Sequence, residues 1–128
     1  MANLPRGIME QVEEAIRANA GANVTLLDAW GHYVYLAEAI KSLFGYTEED
    51  RQKALGKHFT LFVRPSEVDH LELAFQDALL NDESVLAPRD IRVKSGGYLR
   101  MSGCARKIVD EQSGEIYVLT IGRPVEQR

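Results

Sequence analysis

A chain of 128 residues, 45% hydrophobic and 27% charged, suits one domain that buries roughly two-thirds of its unfolded surface, and it excludes the disordered, collagen-like and coiled-coil classes. Nineteen acidic against 15 basic side chains leave a net charge of −4, and the basic residues stand singly or in pairs such as Arg106-Lys107, so no nucleic-acid surface that tracks phosphates is expected. The single cysteine, Cys104, excludes an internal disulfide and a cysteine-based zinc cluster, and no apolar run approaches the roughly 20 residues of a membrane span.

The chain opens Met1-Ala2-Asn3-Leu4-Pro5-Arg6, without the charged-then-apolar order of a secretory signal. Met1 is therefore read as a natural N-terminus and the cytoplasm as the compartment. Ile8, Met9, Val12, Ala15 and Ile16 form an apolar stripe, with Glu10, Glu13, Glu14 and Arg17 opposite, which predicts an amphipathic helix from Ile8 to Asn19 closed at Gly21. That helix must bury its face on its own domain or on a matching helix of a partner. The segment 1–22 is taken as this flanking helix, a dimer contact or a cap, and 23–128 as the domain proper.

Val24 to Asp28 and His32 to Leu36 read as a hairpin around Ala29-Trp30-Gly31. Ala37 to Phe44 is helical in composition and stops at Gly45. Thr47-Glu48-Glu49-Asp50 supplies an N-cap and a first turn of acids, and Gly56 closes that short helix. Pro65 breaks the chain before a longer helix, about Glu67 to Leu80, that Ser66 could cap, with Val68, Leu71, Ala74, Phe75, Ala78 and Leu79 at helical spacing. Three strands follow, Leu86 to Lys94, Tyr98 to Ile108 and Glu115 to Ile121, joined by turns at Ser95-Gly96-Gly97 and Glu111 to Gly114. Two strands, helices and a three-strand meander can close as a five-stranded antiparallel sheet of an α+β domain. The intervening helices would cover one face and the N-terminal helix is available for the other.

Four stretches resemble the PAS sensor-domain family. Leu26-Leu27-Asp28-Ala29-Trp30-Gly31-His32-Tyr33-Val34-Tyr35 is similar to its first hairpin, and Leu43-Phe44-Gly45-Tyr46-Thr47-Glu48-Glu49-Asp50 to its most recognisable segment. Gly56-Lys57-His58-Phe59-Thr60-Leu61-Phe62-Val63-Arg64-Pro65 resembles the stretch before its long helix, and Val93-Lys94-Ser95-Gly96-Gly97-Tyr98-Leu99-Arg100 the turn between its third and fourth strands. In order and spacing these cover about Asn23 to Gln127. The resemblance implies the PAS fold and a sensory or signal-transduction role, of the kind common in bacterial regulators. Two departures stand out: Ala37 replaces a helix-capping Asn, and Arg123-Pro124-Val125-Glu126 replaces the usual Asp-Ile-Thr-Glu. Gly122 and Pro124 suggest an abrupt exit from the sheet and a different output route. No cysteine lies between residues 46 and 64, which excludes the flavin–cysteine photochemistry of one PAS subfamily.

Haem-binding members of the family ligate iron through a histidine near the start of the long helix, which makes His70 the candidate metal ligand, with Met101 as the soft donor across the iron. On a helical wheel, however, Leu71 and Phe75 centre the apolar stripe and His70 flanks it, which reads as a surface histidine. His32 and His58 read as solvated or bonded to backbone, Glu48-Glu49-Asp50 as a helix-dipole feature, Cys104 as a small filler, and Ser95-Gly96-Gly97 as a turn without phosphate-cradle context. Leu99, Met101, Gly103 and Ala105 fall in phase on one strand face, and their small members leave room beneath the helix. Leu71, Phe75, Leu99, Met101 and Gly103 are the candidate pocket lining, while Phe44, Phe59, Phe62 and Phe75 would fill much of that space. Trp30, in a turn slot that is normally polar, is either an exposed anchor for a partner or packed back on the N-terminal helix.

No acid–base or nucleophile constellation can be assembled, so a binding module rather than an enzyme is expected. The expected function is a cytoplasmic sensor that binds a small ligand or partner protein and forms a homodimer through Ile8, Val12, Ala15 and Ile16, passing a population shift to an effector. The alternatives are a haem-based gas or redox sensor using His70, and a structural dimerisation domain that takes no ligand. Neither nucleic acid nor membrane is an expected partner.

Overall fold

Strands whose side chains alternate between two apolar faces require cover on both sides, and the chain supplies it from two separate helical segments. A computed structural model describes residues 4–125; the proposed start at Met1 and the terminal Glu126 and Gln127 lie outside the described residues. In chain order the elements are α1 (Arg6–Ala18), β1 (Asn23–Asp28), β2 (Tyr33–Leu36), α2 (Ala39–Phe44), α3 (Glu48–Ala54), α4 (Val68–Asn81), β3 (Glu83–Arg92), β4 (Tyr98–Val109) and β5 (Ile116–Pro124). Short 3-10 turns at Phe59–Phe62 and Pro65–Glu67 lead into α4. The five strands form one antiparallel sheet in the order β2-β1-β5-β4-β3, so the chain's first and last strands lie side by side at its centre. Among the described helices none is long and apolar enough to cross a membrane.

The turns follow from local chemistry. Asp28 folds its carboxylate back to accept the backbone N–H groups of Trp30 and His32, and Gly31 takes φ +90° where a Cβ would stand 2.8 Å from the His58 ring. Gly45 ends α2 in the left-handed conformation. Thr47 caps α3 through a capping box in which Asp50 N–H bonds the Thr47 hydroxyl and Asp50 accepts from Thr47 N–H. Ser66, expected to cap α4, does not; the helix grows directly from the 3-10 turn that Pro65 opens.

The end of the sheet corrects the expected abrupt exit. β5 passes through Gly122 and Arg123 to Pro124, paired with Met101 to Gly103 of β4. On its other side the last β1 pair is Asn23 with Gly122, so Pro124 lies beyond the end of β1, where its missing N–H breaks no ladder bond on that flank.

Two cores result. On the inner face β1, β4 and β5 present Leu27, Val118, Met101 and Ala105 to Ile40, Phe44, Leu71, Phe75 and Ala78 of the helices. On the outer face Val24, Leu26, Tyr117 and Leu119 meet Ile8, Val12 and Ala15 of α1, with Ile16 partly buried beside them. Ile8 and Val12 are 0% exposed, so the stripe offered as a dimer surface is occupied by the chain's own sheet. A dimer made through Ile8, Val12, Ala15 and Ile16 would first have to lift α1 away.

The α3 segment is tied electrostatically to its surroundings. Hydrogen bonds from Arg51, Gln52 and Lys41 hold Glu48 at about 2 from an ordinary 4.5, and those from Thr47 N–H and Lys94 hold Asp50 at about 2 from 3.8. Both groups are more acidic folded than unfolded. Their contribution is therefore complete above about pH 4.5 and is lost as the pH falls toward 2. Carboxyl-resolved NMR titration should find both midpoints near 2, with α3 amides losing protection over that window; midpoints near 4 would contradict the bonding described. Ile8→Ala should cost about 2–5 kcal/mol in denaturant unfolding, while the exposed Glu13→Ala stays within about 0.5. A similar small cost for both would mean that α1 does not pack on the sheet.

Candidate functional site

Between the inner sheet face and the helices the structure leaves a cavity of about 80 Å3. Rings wall much of it: Phe59 and Phe75 lie 5.4 Å apart between centroids, and Phe62 tilts against Tyr46 at 5.0 Å and Tyr33 at 5.8 Å. Leu71 and Phe75 of α4 and Met101 of β4 line it, three of the five residues picked from sequence.

Leu99 and Gly103 do not. Leu99 packs at the margin of the inner core opposite Ile91. Gly103 pairs with Gly122, and a Cβ there would come within 1.8 Å of the Ile121 carbonyl oxygen. Its missing side chain admits the neighbouring strand's backbone rather than enlarging the cavity. Ala105 supplies the small wall residue instead.

One end of the cavity is polar, and it went unpredicted. Asn23 and Thr25 of β1 and Thr120 of β5 project inward there, the two threonine hydroxyls hydrogen-bonded to each other. Asn23 Oδ1 is buried with no hydrogen-bond partner among the described residues. From β3 comes Arg89, whose Nη1 donates to the Met101 carbonyl at 3.3 Å. Leu86 and Arg89 are three apart and would face opposite sides of a regular strand. A bulge between them pairs Leu86 with Gly103 and Arg89 with Met101, which turns both toward the cavity. Burial pushes the Arg89 guanidinium below its ordinary pKa and raises the Tyr33 hydroxyl, which donates to the Phe59 carbonyl.

The haem reading does not fit this geometry. His70 is exposed on α4 while Leu71, one residue on, forms the wall; no histidine lines the cavity. Met101 lines it with no imidazole across from it, and about 80 Å3 is far below the roughly 300 Å3 at which sites for drug-sized ligands begin. Among the described residues no group of three or more His, Cys, Asp or Glu side chains gathers as a metal site.

The remaining candidates are accounted for outside the cavity. His32 and His58 form an isolated bridge with edge-on rings, and His58 Nδ1 lies 3.0 Å from the Thr60 hydroxyl. Cys104 is half-buried opposite Ile121. Trp30 stands 75% exposed at the hairpin tip, beside a surface groove that it shares with Leu73, Asp69 and Glu72, rather than packed back on α1.

Neither family models nor curated protein sequences match the chain. Solved structures do. A PAS domain of a protein from Colwellia psychrerythraea superposes with a TM-score of 0.74 at 16% identity, over 94% of this chain and 99% of that one. The PAS-B domain of Drosophila melanogaster Cycle superposes with a TM-score of 0.70 at 13% identity, over 80% of this chain and 99% of that one. It was solved as wild type with bound ethylene glycol and as a tryptophan-to-alanine variant with bound glycerol. With its sheet order β2-β1-β5-β4-β3, the helical insert across the inner face and these superpositions, this chain has the PAS fold.

Proposed function

We propose that the chain is a sensory, signal-transducing module that takes a small molecule into the inner cavity and reports it through α1. The observation that carries this reading is that β1 and β5 serve both cores at once. Thr25, Val118 and Thr120 face the cavity, while Leu26, Tyr117 and Leu119, their immediate neighbours in sequence, hold α1. A ligand that binds more tightly to one packing of the inner face shifts the population of α1 docked on the outer face. The Cycle PAS-B structures, each with a small polyol bound, lend support from a similar fold.

In this reading the homodimer and the docked helix are alternative uses of one stripe. Ile8, Val12, Ala15 and Ile16 cover the sheet in one state and are available to a second copy or an effector in the other. The cytoplasm remains the proposed compartment, and binding rather than catalysis the proposed activity, because the cavity is lined by no carboxylate, histidine, lysine or cysteine.

Native mass spectrometry of protein purified without denaturant, then repeated after unfolding and refolding, tests the reading together with hydrogen exchange. The first preparation should carry an additional non-covalent mass that refolding removes. Exchange of the α1 amides should then change by about tenfold, a coupling of about 1.4 kcal/mol. Equal masses and equal α1 exchange would contradict the proposal and favour the structural domain that takes no ligand.

A further inference from the structure

Arg89 is the one side chain of permanent charge on the cavity wall, and although Glu67 attracts it at longer range, no carboxylate among the described residues bonds it directly. Three guanidiniums, those of Arg64, Arg89 and Arg100, gather near two carboxylates, Glu67 and Asp90. Asp90 is bonded by Arg64 Nε at 3.0 Å and Arg100 Nη1 at 3.1 Å. Glu67 accepts the Asp90 N–H at 2.7 Å and lies 3.6 Å from Arg100. Arg89 makes no ion pair among the described residues, and of its five N–H donors only one meets an acceptor there, the Met101 carbonyl. A half-buried guanidinium turned inward through a strand bulge, with no anion bonded to it, leaves its remaining donors free for one.

The second observation is independent. Asn23, whose buried Oδ1 has no hydrogen-bond partner among the described residues, is one of the residues around the same cavity. Asn23 pairs across the sheet with Gly122, and Arg89 Nη2 lies 3.5 Å from where a Gly122 Cβ would stand. A cation rich in unused donors and an acceptor lacking a donor thus flank one residue. Gly122 keeps the space between them open. Leu71 and Phe75 of α4 supply apolar surface from the helical side, and the Met101 methyl, 3.6 Å from the same Gly122 position, adds to it from the sheet.

We propose that the cavity binds a small monocarboxylate bearing a hydroxyl or amino group, the carboxylate on Arg89, the donor on Asn23 Oδ1 and the short apolar tail against Leu71, Phe75 and Met101. This rests on the reading of the cavity as the sensing site and names its ligand class. A guanidinium meets a carboxylate through two parallel N–H bonds, which a neutral amide cannot match. A volume of about 80 Å3, at about 10–15 Å3 for each water-sized site, limits the ligand to about five to eight heavy atoms.

Calorimetric titration of the full chain with lactate, 2-hydroxybutyrate, alanine, butyrate, lactamide and inorganic phosphate tests the inference. The 2-hydroxy or 2-amino acids should bind best, lactamide about tenfold or more weaker, and butyrate should lose the part contributed by Asn23. Arg89→Gln, which keeps a donor for the Met101 carbonyl, should abolish the preference for acid over amide. Arg89→Lys should retain part of it, and Asn23→Val should erase the difference between 2-hydroxybutyrate and butyrate. Thermal unfolding accompanies each variant, and Arg89→Gln should be no less stable than the parent in the absence of carboxylate. Binding of lactamide as tight as lactate, with Arg89→Gln unchanged, would overturn the inference while leaving the cavity a sensing site. Failure of every carboxylate to bind, or tighter binding of phosphate than of any carboxylate, would overturn it as well. If exchange of the α1 amides also stays unchanged at saturating concentrations of every compound that binds, the sensing reading falls with it.

Discussion

The constraint on which the rest depends is the alternation of side chains along β1 and β5. These two strands lie at the centre of the sheet, and neither face can be left to water: Leu27 and Val118 on one side, Leu26 and Leu119 on the other, are each no more than 3% exposed. One face takes the helical insert and the other takes α1. Full burial of a side chain such as Ile8 or Val12 is worth roughly 1.5–3 kcal/mol, so docking α1 is a sizeable share of the 5–15 kcal/mol by which a typical domain is stable. The two layers share the backbone of β1 and β5 between them.

Near-complete packing makes that sharing usable. A cavity of about 80 Å3 in an otherwise dense interior is a local deficit of contacts, and filling it changes the preferred positions of its walls. Rings of Phe59, Phe62 and Phe75 make the helical wall stiff, whereas the polar end rests on strand side chains with unused hydrogen-bonding capacity. The same strands that supply Asn23, Thr25 and Thr120 carry the α1 contacts one residue away. Chemistry at the polar end is therefore placed where it can bias the outer face.

The fold was legible wherever regular periodicity holds. The helix-period stripe of α1, the Gly45 and Thr47 signals around the short helices, the stripe of α4 with Leu71 and Phe75 inward, and the hairpins all follow rules of local spacing. The site was legible only in part, because its deciding features break those rules. Arg89 faces inward through a bulge that shifts strand parity at Ala87 and Pro88, and a period of two puts it on the wrong side. The one signal available was Pro88, which cannot sustain a regular ladder. Gly103 looked like spare room and proved to be a point of close approach between strands. Whether α1 caps its own sheet or another chain was open in the sequence, since an amphipathic stripe specifies an apolar partner and not its address.

A double-mutant cycle between the two faces tests the central claim most directly. Val118→Ala thins the cavity wall, Val12→Ala thins the α1 contact, and the two side chains lie on opposite sides of the sheet. Coupling through the shared strands predicts that the double variant departs from additivity by at least about 0.5 kcal/mol in denaturant unfolding. Additivity within about 0.3 kcal/mol would mean that the two cores are energetically separate and that nothing sensed inside reaches α1.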